Sequence, residues 1–338
     1  MGATRCLVFQ LPTRTPRRAF RWRGPPSGEE LRPPPPGVPP RGWTRRLQRL
    51  CDAAAAGGGG GAVADVGCGH GRLALALASG GGASRVFGVD RSPHALAVAQ
   101  ENLARLGPAR AAVEGRLTYV LGDGLAALRG EDPVGCAVVA GMGVPALWAA
   151  LRGAPGWRPL AGGGPGDGEP GSSNRTLGCA EGLSRLVLSP QGGAGWPTLR
   201  AALWLAGWDV CREHLVAEGR PGFLHLVLEA RRGPGPRWGA GPRGAPGTVG
   251  DAVSAARGAG ADPARLLVGA LAEGAGGEGD DAVLAEFLRA SAERHRAVAG
   301  RCRGAGRTGR AARAGAEARE AAVVFEEVLR RVLSRVQG

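Results

Sequence analysis

The stretch AVADVGCGHGRLALAL, residues 62–77, reads as a buried strand, a glycine turn and the start of a helix. Its glycines alternate as Gly67-x-Gly69-x-Gly71, with Asp65 two residues ahead of the first. A dinucleotide fingerprint needs G-x-G-x-x-G, whose wider second gap turns the helix N-terminus toward a pyrophosphate. The closer spacing here predicts a different ligand. Glycine at such a turn adopts φ > 0 at little cost and lets the backbone approach that ligand closely. In a chain with 61 glycines among 338 residues the same alternation also arises by chance, so the rest of the sequence has to decide.

Composition decides little by itself. Lysine and isoleucine are absent, Tyr119 is the one tyrosine, and asparagine occurs only at Asn102 and Asn174, a pattern that a GC-rich genome explains through codon usage. The net charge of +14 is compatible with a polyanionic partner such as RNA, because arginine forks bind phosphate in two-point geometry. Part of that excess lies near the start, where Arg5, Arg14, Arg17, Arg18, Arg21, Arg23 and Arg32 outnumber Glu29 and Glu30. Residues 1–40 lack the continuous apolar core of a secretory signal. They read as an arginine-rich, acid-poor leader of the kind that targets chloroplast or mitochondrion, or as a disordered tail. The seven cysteines form no C-x-x-C pair and the five histidines show no metal-ligand spacing, which argues against a disulfide framework or a metal site. The longest uncharged stretch, Pro133 to Leu151, approaches membrane-span length, yet Gly135, Gly141, Gly143 and Pro145 divide it into strand, turn and helix. No membrane partner is expected, nor is DNA; the oligomeric state is not encoded in any of these features.

Strands and helices alternate regularly beyond the opening stretch. WTRRLQRL from Trp43 is a short basic amphipathic segment ahead of the strand Ala62–Val66. A helix over Arg72–Ser79, a strand over Arg85–Asp90 and a helix over Pro93–Leu106 follow, the last with Ser92 as N-cap and Pro93 in the first turn. Strands Leu117–Leu121 and Cys136–Ala140 end at Gly122-Asp123-Gly124 and Gly141-Met142-Gly143. After a Gly/Pro-rich insertion at 153–183 come a strand Leu186–Ser189, a helix Pro197–Ala206 and strands Asp209–Val216 and Phe223–Glu229, the last two close enough for an antiparallel pair. A Gly/Pro/Arg linker over 232–262 leads to a C-terminal extension, 263–338, with helices around Val283–Val298 and Glu317–Val336 that share one apolar seam. Within it, Glu326 and Glu327 stand four residues before Arg330 and Arg331. The pattern predicts an α/β fold: a parallel sheet with helices on both faces, an antiparallel end strand and a helical hairpin.

Ligands in such a sheet sit outside the carboxyl ends of the strands. Asp65, Asp90 and Asp123 all fall there. Asp90 in FGVDRSP is placed to accept hydrogen bonds from both ribose hydroxyls of a nucleoside. Asp123 is placed to meet an adenine amino group, with Gly124 letting the base lie on the backbone. The glycine turn, Asp90 and Asp123 in this order resemble the motifs of class I S-adenosylmethionine (SAM) methyltransferases, whose first turn lies against the methionine part of the cofactor. More specifically, RRLQRL, VADVGCGH, FGVDRSPHALAVAQENL, LGDGL, VVAGMG, RLVLSPQ, LRAALWLAGWDVCREHLVAE and FLHLVLEA resemble the TrmK family, the bacterial-type tRNA (adenine-22, N1) methyltransferases. That resemblance spans about residues 43–152 and 184–231, a methyltransferase domain running over 43–231, and the C-terminal seam suits the small coiled-coil domain of the family.

The resemblance implies SAM as cofactor, held by Asp65, Gly67, Gly69, Asp90, Asp123, Gly124 and Gly141, and tRNA as substrate. Gly141, Met142 and Gly143 would form the wall for the target base, the polarizable methionine facing a flat ring, and His70 would contact the base or orient the cofactor. One departure stands out: where the family reads Gly-Ser/Thr-Asp-His-Ala, this chain reads Gly67-Cys68-Gly69-His70-Gly71. N1 of adenine has a lone pair and needs no base, but methylation creates a cation that a carboxylate would stabilise; without an acid at 69, Asp65 or Asp123 compensates or activity is weakened. Two alternatives stay open: a methyltransferase for protein or small molecules, and an RNA-binding protein that kept the fold and lost turnover.

Overall fold

The computed structural model describes residues 43–56, 60–128, 133–152, 182–192, 195–218, 224–232, 256, 258, 261–269, 280–304 and 309–337. The expected leader over 1–40, nearly all of the 153–183 insertion and most of the 232–262 linker lie outside them. Thr44 opens the first helix, α1 (Arg45–Ala55), by accepting the Leu47 N–H on its hydroxyl at 3.2 Å. The chain continues through β1 (Ala62–Val66), α2 (Arg72–Ser79), β2 (Val86–Asp90), α3 (Pro93–Ala104), α4 (Arg110–Glu114) and β3 (Leu117–Leu121). A 3-10 turn at Gly124–Leu128, β4 (Val134–Ala140) and α5 (Val144–Arg152) complete its first half. Then come β5 (Arg185–Ser189), α6 (Trp196–Leu205), β6 (Trp208–Ala217), β7 (Leu224–Arg232), α7 (Pro263–Val268), α8 (Asp280–Gly304) and α9 (Gly309–Gln337).

The seven strands form one sheet in the order β3-β2-β1-β4-β5-β7-β6. Neighbours from β3 to β5 pair in parallel, while β7 is antiparallel to both β5 and β6. This is the α/β sheet with an antiparallel end pair that the sequence predicts. Strand bounds agree with expectation to within two residues, except that β7 runs three residues past the expected end, to Arg232. Helix α3 stops earlier than expected because Gly107 turns to φ +57° with Pro108 behind it, and a short 3-10 segment takes over. Sequence reading misses α7, although Asp262-Pro263 ahead of two leucines is a helix start.

Period-two alternation divides the core. Ala64, Val66, Phe87, Val89, Ala137, Val139, Leu186 and Leu188 face one side with α5 and α6. Val63, Val86, Val138 and Val187 face the other, against α1 and α2. The first cluster does not end at α6: Leu266, Val268, Leu284, Leu288, Phe325, Val328 and Val332 of the C-terminal helices belong to it. The α8–α9 seam therefore forms as expected and is continuous with the sheet's own core. The charges differ in one detail. Glu327 pairs within α9 with Arg330 and Arg331, whereas Glu326 reaches across to Arg296 of α8 at 2.6 Å instead of to Arg330.

One fully enclosed ion pair fastens α7 to the sheet domain. Arg200 Nε donates to Glu213 Oε1 at 2.7 Å, and neither side chain has any exposed surface. Arg200 Nη1 also donates to the carbonyls of Leu266 and Leu267 at 3.3 and 2.8 Å, satisfying the C-terminal end of α7. Gly269 leaves that helix at φ +72°, and a Cβ there would overlap the Glu213 carboxylate. Replacing Arg200 by Met strands a buried carboxylate, so we expect Arg200→Met to cost about 3–5 kcal/mol of folding stability. Urea denaturation followed by circular dichroism measures this; an unchanged midpoint would contradict the assigned role of the pair.

Candidate functional site

The glycine turn between β1 and α2 is built by three left-handed residues. Gly67, Gly69 and Gly71 have φ of +76°, +54° and +72°. Gly67 and Cys68 extend the β1–β2 ladder by donating to the Val89 carbonyl at 2.8 and 3.0 Å, and the turn closes with Gly71 N–H to Cys68 O at 2.9 Å. Asp90 then fixes the turn to β2: its Oδ2 accepts the Gly69 N–H at 2.9 Å and its Oδ1 the Ser92 N–H at 2.8 Å. Ser92 in turn caps α3 by accepting the Ala95 N–H at 3.2 Å. Each Asp90 oxygen keeps acceptor capacity, so the expected reading of a ribose is compatible with these bonds.

Each glycine has its own physical reason. A Cβ on Gly69 or Gly141 would meet nothing within 4 Å, so both border open space. A Cβ on Gly67 would lie 2.6 Å from Met142 Cε, so glycine there admits the methionine of the next turn as well as any ligand. At Gly71 it would overlap the Tyr119 hydroxyl, and at Gly88 it would lie 2.6 Å from the Tyr119 ring. Gly124 is buried, and its Cβ would lie 2.5 Å from the Ala150 carbonyl oxygen. Packing on α5 and a φ of +60° thus suffice to require glycine at 124, independently of any base that lies on the backbone. Asp123 beside it is exposed at the end of β3, next to β2, where Gly122 N–H donates to the Asp90 carbonyl at 3.0 Å.

Asp65 departs from the expectation of a carboxylate lining the crevice. It is 3% exposed and points to the α2 face of the sheet, where the first-turn N–H of Ala74 donates to it. Its Oδ2 has no hydrogen-bond partner. Register places Asp65, Gly88 and Tyr119 side by side on adjacent strands, and the Tyr119 hydroxyl is likewise buried without a partner. Burial, and secondarily the Asp90 charge, push the Asp65 carboxyl from 3.8 up to about 7. Burial also pushes up the Cys68 thiol and the Tyr119 phenol, which makes Cys68 a poor nucleophile.

The side chain of His70 is exposed at the turn, and its carbonyl accepts a hydrogen bond from Asn102 Nδ2 at 3.0 Å. Sequence reading passes over Asn102, although a buried asparagine in a chain with only two is a signal worth following. Across the sheet, Gly141 turns at φ +79° and Met142 is half-buried against the first core cluster. Gly143 is half-buried, and its carbonyl accepts the Leu147 N–H at 3.0 Å, opening α5. The structure thus brings together the 67–71 turn, Asp90, Asp123 and the 141–143 turn at the carboxyl ends of β1 to β4, with Asp65 enclosed beneath. Among the described residues no cluster of His, Cys, Asp and Glu could hold a metal ion, and no helix is long and apolar enough to cross a membrane.

Comparison with known proteins agrees with this architecture. Residues 43–156 match the family model described as a methyltransferase domain. A Moorella thermoacetica release factor glutamine methyltransferase is 48% identical over 68 residues, a match that spans 20% of this chain and 22% of that protein. The fold is shared with B. subtilis TrmK, an M1A22 tRNA methyltransferase, at TM-score 0.59 and 19% identity over 85% of this chain and 98% of that one. M. capricolum TrmK, solved with S-adenosyl-homocysteine, gives TM-score 0.54 at 10% identity, covering 86% of this chain and 99% of that one. A Streptococcus pneumoniae protein solved with S-adenosyl-L-methionine gives 0.53 at 17%, covering 84% and 98%.

The enclosed carboxyl gives a testable pH dependence. Because its folded pKa is raised, the folded chain keeps a proton that the unfolded chain has lost, so stability falls as pH climbs from about 4 to about 7. Asp65→Asn retains an acceptor for Ala74 and carries no charge. We expect it to melt higher than the parent above pH 7, with the difference vanishing near pH 4, a gain on the order of 3 kcal/mol. Thermal melts of both proteins across that range decide it, and a pH-independent difference would refute the assignment.

Proposed function

We propose that the chain is a SAM-dependent methyltransferase acting on N1 of an adenine in tRNA. The observation that carries this reading is the end-to-end likeness of its fold, C-terminal helices included, to TrmK structures. The residues present fit the cofactor. Gly69 and Gly141 offer open backbone, Asp90 holds a carboxylate at the end of β2, and Asp123 stands exposed at the end of β3.

When bound, SAM supplies an electrophilic methyl group on a sulfonium. N1 of adenine brings its own lone pair, so the chain's work is alignment. The 67–71 turn and Asp90 hold one reactant, and Gly141, Met142 and Gly143 form the wall for the other, with the base out of its stack. His70 contacts the base or orients the cofactor. Of the two acids able to offset the product's positive charge in place of Gly69, Asp65 is enclosed, which leaves Asp123. Residues 1–40 we read as a leader for chloroplast or mitochondrion, on their composition.

The stretch of 48% identity to a glutamine methyltransferase favours one second reading, a protein acceptor. Incubation with total tRNA and labelled SAM, followed by mass-spectrometric nucleoside mapping, separates the two. We expect 1-methyladenosine; methyl transfer confined to acceptors other than RNA would overturn the first reading. Removing the Asp90 carboxylate orphans the Gly69 and Ser92 amides together with the ribose contact. Asp90→Ala should therefore weaken SAM binding about 10- to 100-fold by calorimetry, in line with hydrogen bonds to a charged group.

A further inference from the structure

Ser189 and Gln191 after β5, and Gly195 before α6, all approach the 141–143 turn or the residue after it. Gly141 N–H donates to the Ser189 carbonyl at 3.1 Å, and Gln191 N–H donates to the Met142 carbonyl at 2.9 Å. At Gly195 a Cβ would lie 2.7 Å from Val144 Cγ2, at the first residue of α5, so the start of α6 is pressed against the turn's far end. Trp196 comes next and is buried, its ring centroid 5.6 Å from that of Phe287 on α8. Phe287 meets Phe325 of α9 edge-on at 6.3 Å. One turn along α6, Arg200 fastens α7.

We propose that the C-terminal helices brace the methyl-acceptor wall, with Trp196 and Phe287 as positioning residues. Two close approaches in series, Phe287 to Trp196 and Gly195 to Val144, join the hairpin to the residue that follows the turn, and the Gln191 N–H bond to the Met142 carbonyl holds the turn from the β5 side. Close-packed contacts leave little slack, so moving α8 by a fraction of an ångström moves the start of α6 and the wall with it. A hairpin that merely captured RNA through its arginines would affect substrate affinity alone. A hairpin that braces the wall sets the geometry of transfer, and truncating its contact lowers kcat at saturating substrate.

The inference rests on the proposed reading for its kinetic part, and Phe287 is suited to the test because it is only half-buried. In the full chain, Phe287→Ala should keep SAM affinity within about twofold while kcat on tRNA falls about 10- to 100-fold and KM moves less than about threefold. Phe287→Leu, which refills the space, should restore most of the rate. An unchanged kcat with a raised KM would overturn the proposal, as would SAM affinity falling in step with kcat. A readout that needs no acceptor stands beside these. Amide hydrogen exchange in residues 141–147 should quicken in Phe287→Ala while that of 67–71 holds. Equal exchange in both proteins would sink the brace; absence of tRNA methylation by the parent, with the exchange difference present, would sink the proposed substrate instead.

Discussion

The Asp90 carboxylate is the fixed point on which the site depends. Three left-handed glycines within five residues would be a loose hinge, since glycine surrenders more backbone freedom on ordering than any other residue. Two charge-assisted bonds from one side chain, to Gly69 and to Ser92, hold the turn and the start of α3 in one frame. The arrangement carries an electrostatic cost one layer down. A second carboxyl, Asp65, is shut beneath the turn, where burial first and the nearby Asp90 after it disfavour the charged form of Asp65. The crevice thus has one half-buried, hydrogen-bonded acid above and one enclosed acid, its pKa raised by burial, below.

The helices at the C-terminus alter how the whole chain should be regarded. Their buried residues extend the same cluster that fills one side of the sheet, and a fully enclosed guanidinium ties α6, β6 and α7 together. Such pairs contribute little net stability compared with apolar replacements, but they tolerate only one geometry. The consequence is a fixed seat for α7 against α6 and β6, beside which the hairpin continues the same core.

The parallel sheet with its antiparallel end pair, and most strand bounds, were legible because they follow from local patterns: alternation in the strands, Ser92-Pro93 at a helix start, a glycine at strand exits; the strand order, which depends on long-range pairing, was not. Asp90 was legible for the same reason, standing at a strand end beside a turn. The burial of Asp65 was not, because the period-two pattern gives only a side of the sheet, and whether α2 covers that side depends on three-dimensional packing. Tyr119 and Asn102 escaped notice since their roles run through residues 48 and 32 positions away, Gly71 and His70. Gly124 has a packing reason that sequence did not show: only the position of Ala150 reveals a helix pressed against it. Arg200 looks like any surface arginine in sequence, and its partner acid on the next strand carries no signature.

Gly269 shows what this means for a genome steeped in G and C. Glycine and alanine codons there differ by a single base, so exchange between the two is among the easiest steps of neutral drift. Gly60, Gly115 and Gly300, where an added Cβ would meet nothing within 4 Å, have no steric reason to resist it. At position 269 a methyl group would collide with the Glu213 carboxylate in an already positive-φ backbone. The commonest and mildest of substitutions would there disturb the ion pair that holds the end of α7, so that this codon is held in place by a carboxylate far from it in sequence.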